Sequence, residues 1–117
     1  MTWIESEYSC SQKNNSHLVE IYTQFQQDFI TMMALFLEEH DPNGFSNWWI
    51  GLSDAGREGR WYWTNSLKPS NFTNWYSGQP DGGINRNYAY VYTFYDGKWY
   101  AASETYNSAS PLCQFFI

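Results

Sequence analysis

The sequence predicts an α+β fold: two helices, then a largely antiparallel sheet interrupted by one long loop. Three observations carry this expectation. Apolar residues recur at helical spacing in the first third of the chain. From Asn47 onward, short apolar or alternating runs are separated by turns. Between them, residues 65–87 are rich in Asn, Gly and Pro and follow neither period.

Each element has its own justification. Thr2 and Glu5 have the spacing of a capping box, and Ile4 and Tyr8 share one side of a short helix reaching about Lys13. Asn14-Asn15-Ser16 is a polar turn, and His17 to Tyr22 alternates as a brief strand. Thr23 with Gln26 forms a second capping box. Phe25, Phe29, Met32, Met33, Phe36 and Leu37 then recur at helical spacing, which predicts a helix with a core-facing stripe. Asp41-Pro42-Asn43-Gly44 breaks it. Trp48 to Leu52 reads as an apolar strand, Ala55 to Gly59 as a turn and Arg60 to Thr64 as the next strand. A loop as long as 65–87 inside a compact fold is functional or disordered. Tyr88 to Tyr95 alternates, Asp96-Gly97 supplies a hairpin turn, and Lys98-Trp99-Tyr100 begins the return. Pro111 to Ile117 reads as a final strand. No repeat or linker divides residues 1–117, so one domain is expected.

Composition sets the boundaries. Leu, Ile, Val and Phe supply only 22 of 117 residues, which on its own suggests a poor core. The 7 Trp, 10 Tyr and 8 Phe argue the other way, because each aromatic ring can bury about 150–250 Å². A net charge of −6 with 6 scattered Lys and Arg offers no phosphate-tracking stripe, which excludes nucleic acid as a partner. No apolar run approaches the ~20 residues of a membrane span. Met1 runs straight into Thr2-Trp3-Ile4-Glu5 without a signal peptide, as in a processed or excised domain. Cys10 and Cys113 are two free thiols in a cytosolic protein. In a secreted one they form a staple closing about 100 residues, worth ~4–5 kcal/mol in the chain-entropy model. The sequons Asn14-Asn15-Ser16 and Asn71-Phe72-Thr73 lean toward secretion. His17 and His40 are the only histidines and belong to no nucleophile arrangement, and nothing suggests a pocket around the acidic pair Asp54 and Glu58, so an enzyme is not expected.

A set of motifs then falls into a familiar order. Cys10 precedes Ser16-His17-Leu18-Val19-Glu20-Ile21. Trp49-Ile50-Gly51-Leu52, Trp61-Tyr62-Trp63, Asn74-Trp75, Gly78-Gln79-Pro80-Asp81, Gly97-Lys98-Trp99 and Cys113 follow. On these residues the chain resembles a C-type lectin-like domain over nearly its whole length. The resemblance implies a Cys10–Cys113 bridge and a secreted or extracellular setting. In sugar-binding members, side-chain oxygens of the long loop hold Ca2+, and the ion also binds two sugar hydroxyls. A hard cation needs ~6–8 oxygens. Gln79 and Asp81 match the Gln-Pro-Asp form that accompanies galactose-type preference, with a cis proline aiming both side chains at one point.

Departures weaken that site. The next acidic ligand falls on Arg86 or Asn87, and Arg86 would repel the ion. The Trp-Asn-Asp motif reads Trp99-Tyr100-Ala101. Gln79, Asp81 and Asn87 remain, an incomplete primary metal site expected to bind at millimolar strength or worse. An auxiliary calcium site would use Asp54 and Glu58, but its third acid falls on Gly82. The second internal disulfide is missing, which implies a looser long loop unless aromatic packing substitutes. The family's usual first strand is also missing: either the sequence is truncated or something else covers the edge of the last strand, which if uncovered would be prone to pairing.

The expected function is an extracellular lectin of galactose type with a weakened calcium site. Gln79, Asp81 and Asn87 would meet the sugar, and an aromatic ring, Trp75, Tyr76 or Tyr100, would stack on it. The alternative is a calcium-independent protein-binding domain that uses Tyr76, Tyr88, Tyr90 and Tyr100 of the same loop face.

Overall fold

In the computed structural model, which describes residues 1–40 and 46–115 (Phe115 by its backbone alone), Thr2 starts the first helix as its spacing predicts. Its hydroxyl accepts from the Glu5 N–H at 3.2 Å, and the Glu5 carboxylate accepts from the Thr2 N–H at 2.8 Å. This box caps α1 (Trp3–Ser11), which stops two residues short of the expected end. Strand β1 (Ser16–Leu18) is shorter than the run to Tyr22, because the Val19 carbonyl turns away to accept from the Gly51 N–H at 2.8 Å. β1 pairs antiparallel with β7 (Cys113–Phe115), Leu18 opposite Cys113. Cys10 of α1 and Cys113 form a disulfide with Cα atoms 5.5 Å apart. The remainder of the expected last strand, Phe116 and Ile117, lies outside the described residues, as does the breaker Asp41-Pro42-Asn43-Gly44.

Helix α2 (Gln24–Glu39) is capped by the Thr23 hydroxyl, which accepts from the Gln26 N–H at 3.1 Å. Its orientation corrects the expected stripe. Phe25 is 81% exposed, Phe29 49%, Met32 60% and Phe36 56%. The packed side instead carries buried Gln27 and Ala34, with Ile30 and Leu37 against the core. Apolar residues cover more than one face of this helix, so periodicity located the helix without locating its inner side. A small residue, Ala34, lets the backbone approach the sheet where a phenylalanine would hold it off.

Five strands make the main sheet. Its path is β3 (Tyr62–Trp63), β2 (Asn47–Ser53), β4 (Tyr88–Tyr92), β5 (Lys98–Ala102), with β6 (Ser110–Pro111) pairing β2 in parallel. The alternating run to Tyr95 ends as a strand at Tyr92. Thr93–Tyr95 forms a 3-10 turn, and Asp96 and Gly97 reverse the chain with φ of 59° and 71°. Ile50, Leu52, Trp63, Ala89, Val91 and Trp99 fill the core on one face of the sheet. Trp3, Leu18 and Trp49 fill a second cluster beside α1. Gly51 suits the close approach of these layers, because a Cβ there would sit 3.0 Å from the Leu18 carbonyl oxygen, tighter than an ordinary contact. Beyond β7, a groove of about 490 Å³ opens against Val19, Phe25, Phe29, Ile30, Met33 and Leu112. No helix among the described residues is long and apolar enough to cross a membrane.

Candidate functional site

The long loop is placed by buried polar groups at both of its anchor points. Glu20 is buried, yet its carboxylate accepts from the N–H groups of Asn65 (2.9 Å) and Ser66 (3.2 Å) and from the Tyr22 hydroxyl, so its charge is compensated. At the second anchor, the Trp99 N–H bonds the Asn74 carbonyl at 2.9 Å and the Tyr76 N–H bonds the Trp99 carbonyl at 3.0 Å. Gln27, buried on α2, accepts from the Trp99 indole N–H at 2.7 Å and donates to the Gly97 carbonyl at 3.1 Å, to which the Asn74 amide also donates at 3.1 Å. Aromatic rings occupy the space between. Trp75 meets Trp61 and Trp99 edge to face at 4.8 and 5.6 Å, and Phe72 meets Trp99 at 6.0 Å. This is the packing that the sequence offered as a substitute for the missing disulfide.

The rim of the loop carries the Gln-Pro-Asp motif, and the Gln79–Pro80 bond is cis. The Gln79 side-chain oxygen accepts from the Ala101 N–H at 3.0 Å. Asp81 Oδ1 lies 2.8 Å from Arg86 Nη1, each side chain about half exposed. The Asn87 side-chain amide donates to the Ile84 carbonyl at 3.0 Å, while the Asn87 backbone carbonyl accepts from the Ser53 hydroxyl at 2.7 Å and the Asp54 N–H at 3.2 Å. Thus Gln79 is engaged by β5, Asp81 by its own loop, and Asn87 by the turn before it.

This donor set does not fit the calcium ion that the resemblance implies. One oxygen is held by a backbone N–H, the Asp81 carboxylate faces a guanidinium, and Tyr100 and Ala101 stand where the resemblance implies two further donors. Among the described residues, nowhere do three or more His, Cys, Asp or Glu side chains come together as metal ligands. At the auxiliary position Asp54 is buried, with Oδ2 accepting from the Gly59 N–H at 2.8 Å and Oδ1 lacking a donor. Glu58 stands beside it. Loss of water, then the neighbouring Asp54 charge and a hydrogen bond to it, raises the Glu58 carboxyl above its ordinary range.

The sequence pointed to separate tyrosines. The fold assembles a row of them. Tyr95, Tyr76 and Tyr100 stack with centroids 5.1 Å apart at each step. Tyr90 follows at 5.7 Å and Tyr106 at 5.4 Å, with ring planes 8–27° from parallel along the row. Tyr92 meets Tyr95 and Tyr100 edge on. Tyr76 and Tyr95 are the accessible members, 37% and 43% exposed, whereas Tyr100 lies between two other rings. Burial first, then the neighbouring phenols of Tyr76, Tyr95 and Tyr92, raises the Tyr100 hydroxyl. Tyr95 and Tyr106 were missed because neither lies in a recognisable motif. The available clue was the alternation of Tyr88, Tyr90 and Tyr92 opposite Tyr100. Tyr88 stands apart, stacked on Trp3 at 4.6 Å.

Comparison with known proteins places these features. The family model of the lectin C-type domain matches residues 1–115. Lithostathine-1-alpha from Homo sapiens is 33% identical over 64 residues, 55% of this chain and 36% of that protein. Galactose-specific lectin nattectin from Thalassophryne nattereri is 32% identical over 68 residues, 58% of this chain and 40% of that protein. The matches therefore span well under half the length of these relatives. The crystal structure of human lithostathine superposes with a TM-score of 0.81 at 25% identity, covering 99% of this chain and 77% of the other.

Proposed function

The chain belongs to the C-type lectin domain family, and from that premise we propose that it is an extracellular recognition domain that meets its ligand without calcium. It is a binding protein and not an enzyme. The observation that carries the reading is the tyrosine row. Tyr76 and Tyr95 present exposed rings beside the Gln79-Pro80-Asp81 turn, held in place by Tyr100 and Tyr90 behind them. Preordered tyrosines give large contact area at low entropic cost, which suits a protein surface as ligand. The disulfide supports an oxidising compartment.

A galactose-type glycan is the second reading. It is favoured by the intact Gln79, cis Pro80 and Asp81, and by likeness to a relative named as galactose-specific. In that reading Gln79, Asp81 and Asn87 meet sugar hydroxyls directly and an exposed ring, Tyr76, covers the apolar face of the sugar. Glycan and protein arrays, probed with and without chelator, separate the two. Binding that survives chelator and is lost in the Tyr76→Ser, Tyr95→Ser double variant supports a calcium-free aromatic surface. Binding that requires calcium and disappears in Asp81→Ala overturns it.

A further inference from the structure

We infer that the guanidinium of Arg86 is the resident cation of the rim: it takes, as part of the chain, the place beside Asp81 that a divalent ion would otherwise fill, and the 81–86 loop is ordered by it rather than by calcium. Three observations converge. First, Asp81 and Arg86 form the one ion pair among the described residues, at 2.8 Å. Second, the backbone is shaped for this arginine. Gly82 has a φ of 85°, and a Cβ on it would lie 2.5 Å from Arg86 Cδ, 2.6 Å from Cγ and 2.9 Å from Nε. The arginine stem therefore lies flat on Gly82, where the positive φ favours glycine and a side chain would displace the arginine from this position. Third, the 3-10 turn Gly83–Asn85 folds the chain back over Asp81, with the Asn85 N–H on the Gly82 carbonyl at 3.1 Å and the Arg86 N–H on the Gly83 carbonyl at 3.2 Å.

Two departures in the sequence thus become one device. Position 82 lacks an acid and position 86 carries a base, and the missing side chain at 82 is the space in which the base lies. With Asp81 already neutralised, its second oxygen and the remaining guanidinium N–H groups offer an acceptor and donors to a neutral ligand without any ion. The inference rests on the proposal of a calcium-free rim, and it goes further by naming the group that makes the rim so.

The test uses the oxidised full chain, with calcium chloride as the only added ligand. Amide NMR follows the Gly82 and Gly83 signals during the titration, and hydrogen exchange follows amides 82–86. The expected results are no saturable calcium shift in the wild type, and exchange about two- to five-fold faster in both Arg86→Gln and Asp81→Asn, the scale of a half-exposed pair. The double variant should exchange no faster than either single one. A packing role for the arginine stem alone would not respond to Asp81→Asn. The inference is overturned by a saturable wild-type calcium shift that Asp81→Ala removes, by wild-type exchange in Arg86→Gln, or by single-variant effects that simply add. None of these measurements involves the tyrosine row, so their failure leaves the calcium-free aromatic surface to its own binding experiment.

Discussion

Gln27 shows how much one side chain can decide. Its amide accepts from the Trp99 indole N–H and donates to the Gly97 carbonyl, tying α2 to the strand against which the long loop runs. Gln27→Leu keeps the volume and removes both partners, leaving the indole N–H buried without an acceptor. An unmet buried donor costs about 1–3 kcal/mol. The variant should therefore lose about 2–3 kcal/mol in urea denaturation, and a loss below about 0.5 kcal/mol would refute the role. Nothing in the sequence marked Gln27, because a lone amide in an amphipathic helix reads as a surface residue. By contrast Gln79 and Asp81 were legible, since a tripeptide in a fixed order of motifs carries its own context. Their partners were not legible. Arg86 was read as hostile to an ion, and only the folded loop shows it bonded to Asp81. Glu58 offers a second test. Its carboxyl is raised above the ordinary 4.5 by loss of water and then by Asp54, so the folded state binds the proton more tightly than the unfolded one. The associated stability is fully present below the ordinary value and is lost as pH rises through the raised one. Glu58→Gln should flatten that part of the stability–pH curve, measured by denaturation from pH 4 upward; an unchanged curve would show that folding does not raise the Glu58 carboxyl.

At the scale of elements, α2 is where period and orientation part company. Phe25, Phe29, Met32 and Phe36 repeat as helix residues should, yet they face outward, and Ala34 with Ile30 faces the sheet. Hydrophobic spacing measures the helix. Which side docks depends on how closely the backbone can approach, and that is set by the smallest residues. Two substitutions test the orientation. Ala34→Leu inserts three carbons into a fully buried site and should cost about 1–3 kcal/mol by overpacking. Met32→Ser removes an exposed side chain and should change stability by about 0.5 kcal/mol or less. The reverse order, read from denaturant midpoints, would mean that the helix is turned the other way. The strands were more legible than the helix face. In β4 and β5 the alternation sends Ala89, Val91 and Trp99 inward, which leaves Tyr90, Tyr92 and Tyr100 together on the opposite face. The early end of β4 was not legible, because the 3-10 turn at Thr93 is held by tertiary bonds. The Thr93 N–H donates to the Ser46 carbonyl at 3.1 Å, and the Thr93 hydroxyl donates to the Glu38 carboxylate at 2.6 Å.

For the whole molecule, the question is what keeps the two ends of the chain together. Among the described residues β1 and β7 share three residue pairs, and two-stranded ribbons of that length are marginal alone. The bond between Cys10 and Cys113, separated by 103 positions, fixes the same junction covalently and fastens α1 to it. Closing so long a loop removes about 5 kcal/mol of unfolded-state entropy in the chain-entropy model. Domains of this size hold about 5–15 kcal/mol in total, so this one bond carries a third or more of it. The aromatic core is insulated from that loss. Trp63 and Trp99 are fully buried in the first cluster, which contains neither cysteine, whereas Trp49 shares its cluster with Cys10. The Cys10→Ala, Cys113→Ala double variant should therefore still fold at low temperature, with near-ultraviolet aromatic dichroism close to that of the parent, but melt about 20 °C lower. A fall under about 5 °C would mean that α1, β1 and β7 are held by packing, and that the disulfide is a late addition to a junction already closed. Loss of the aromatic signal at all temperatures would mean the opposite, that the tryptophan core depends on the staple and does not stand by itself.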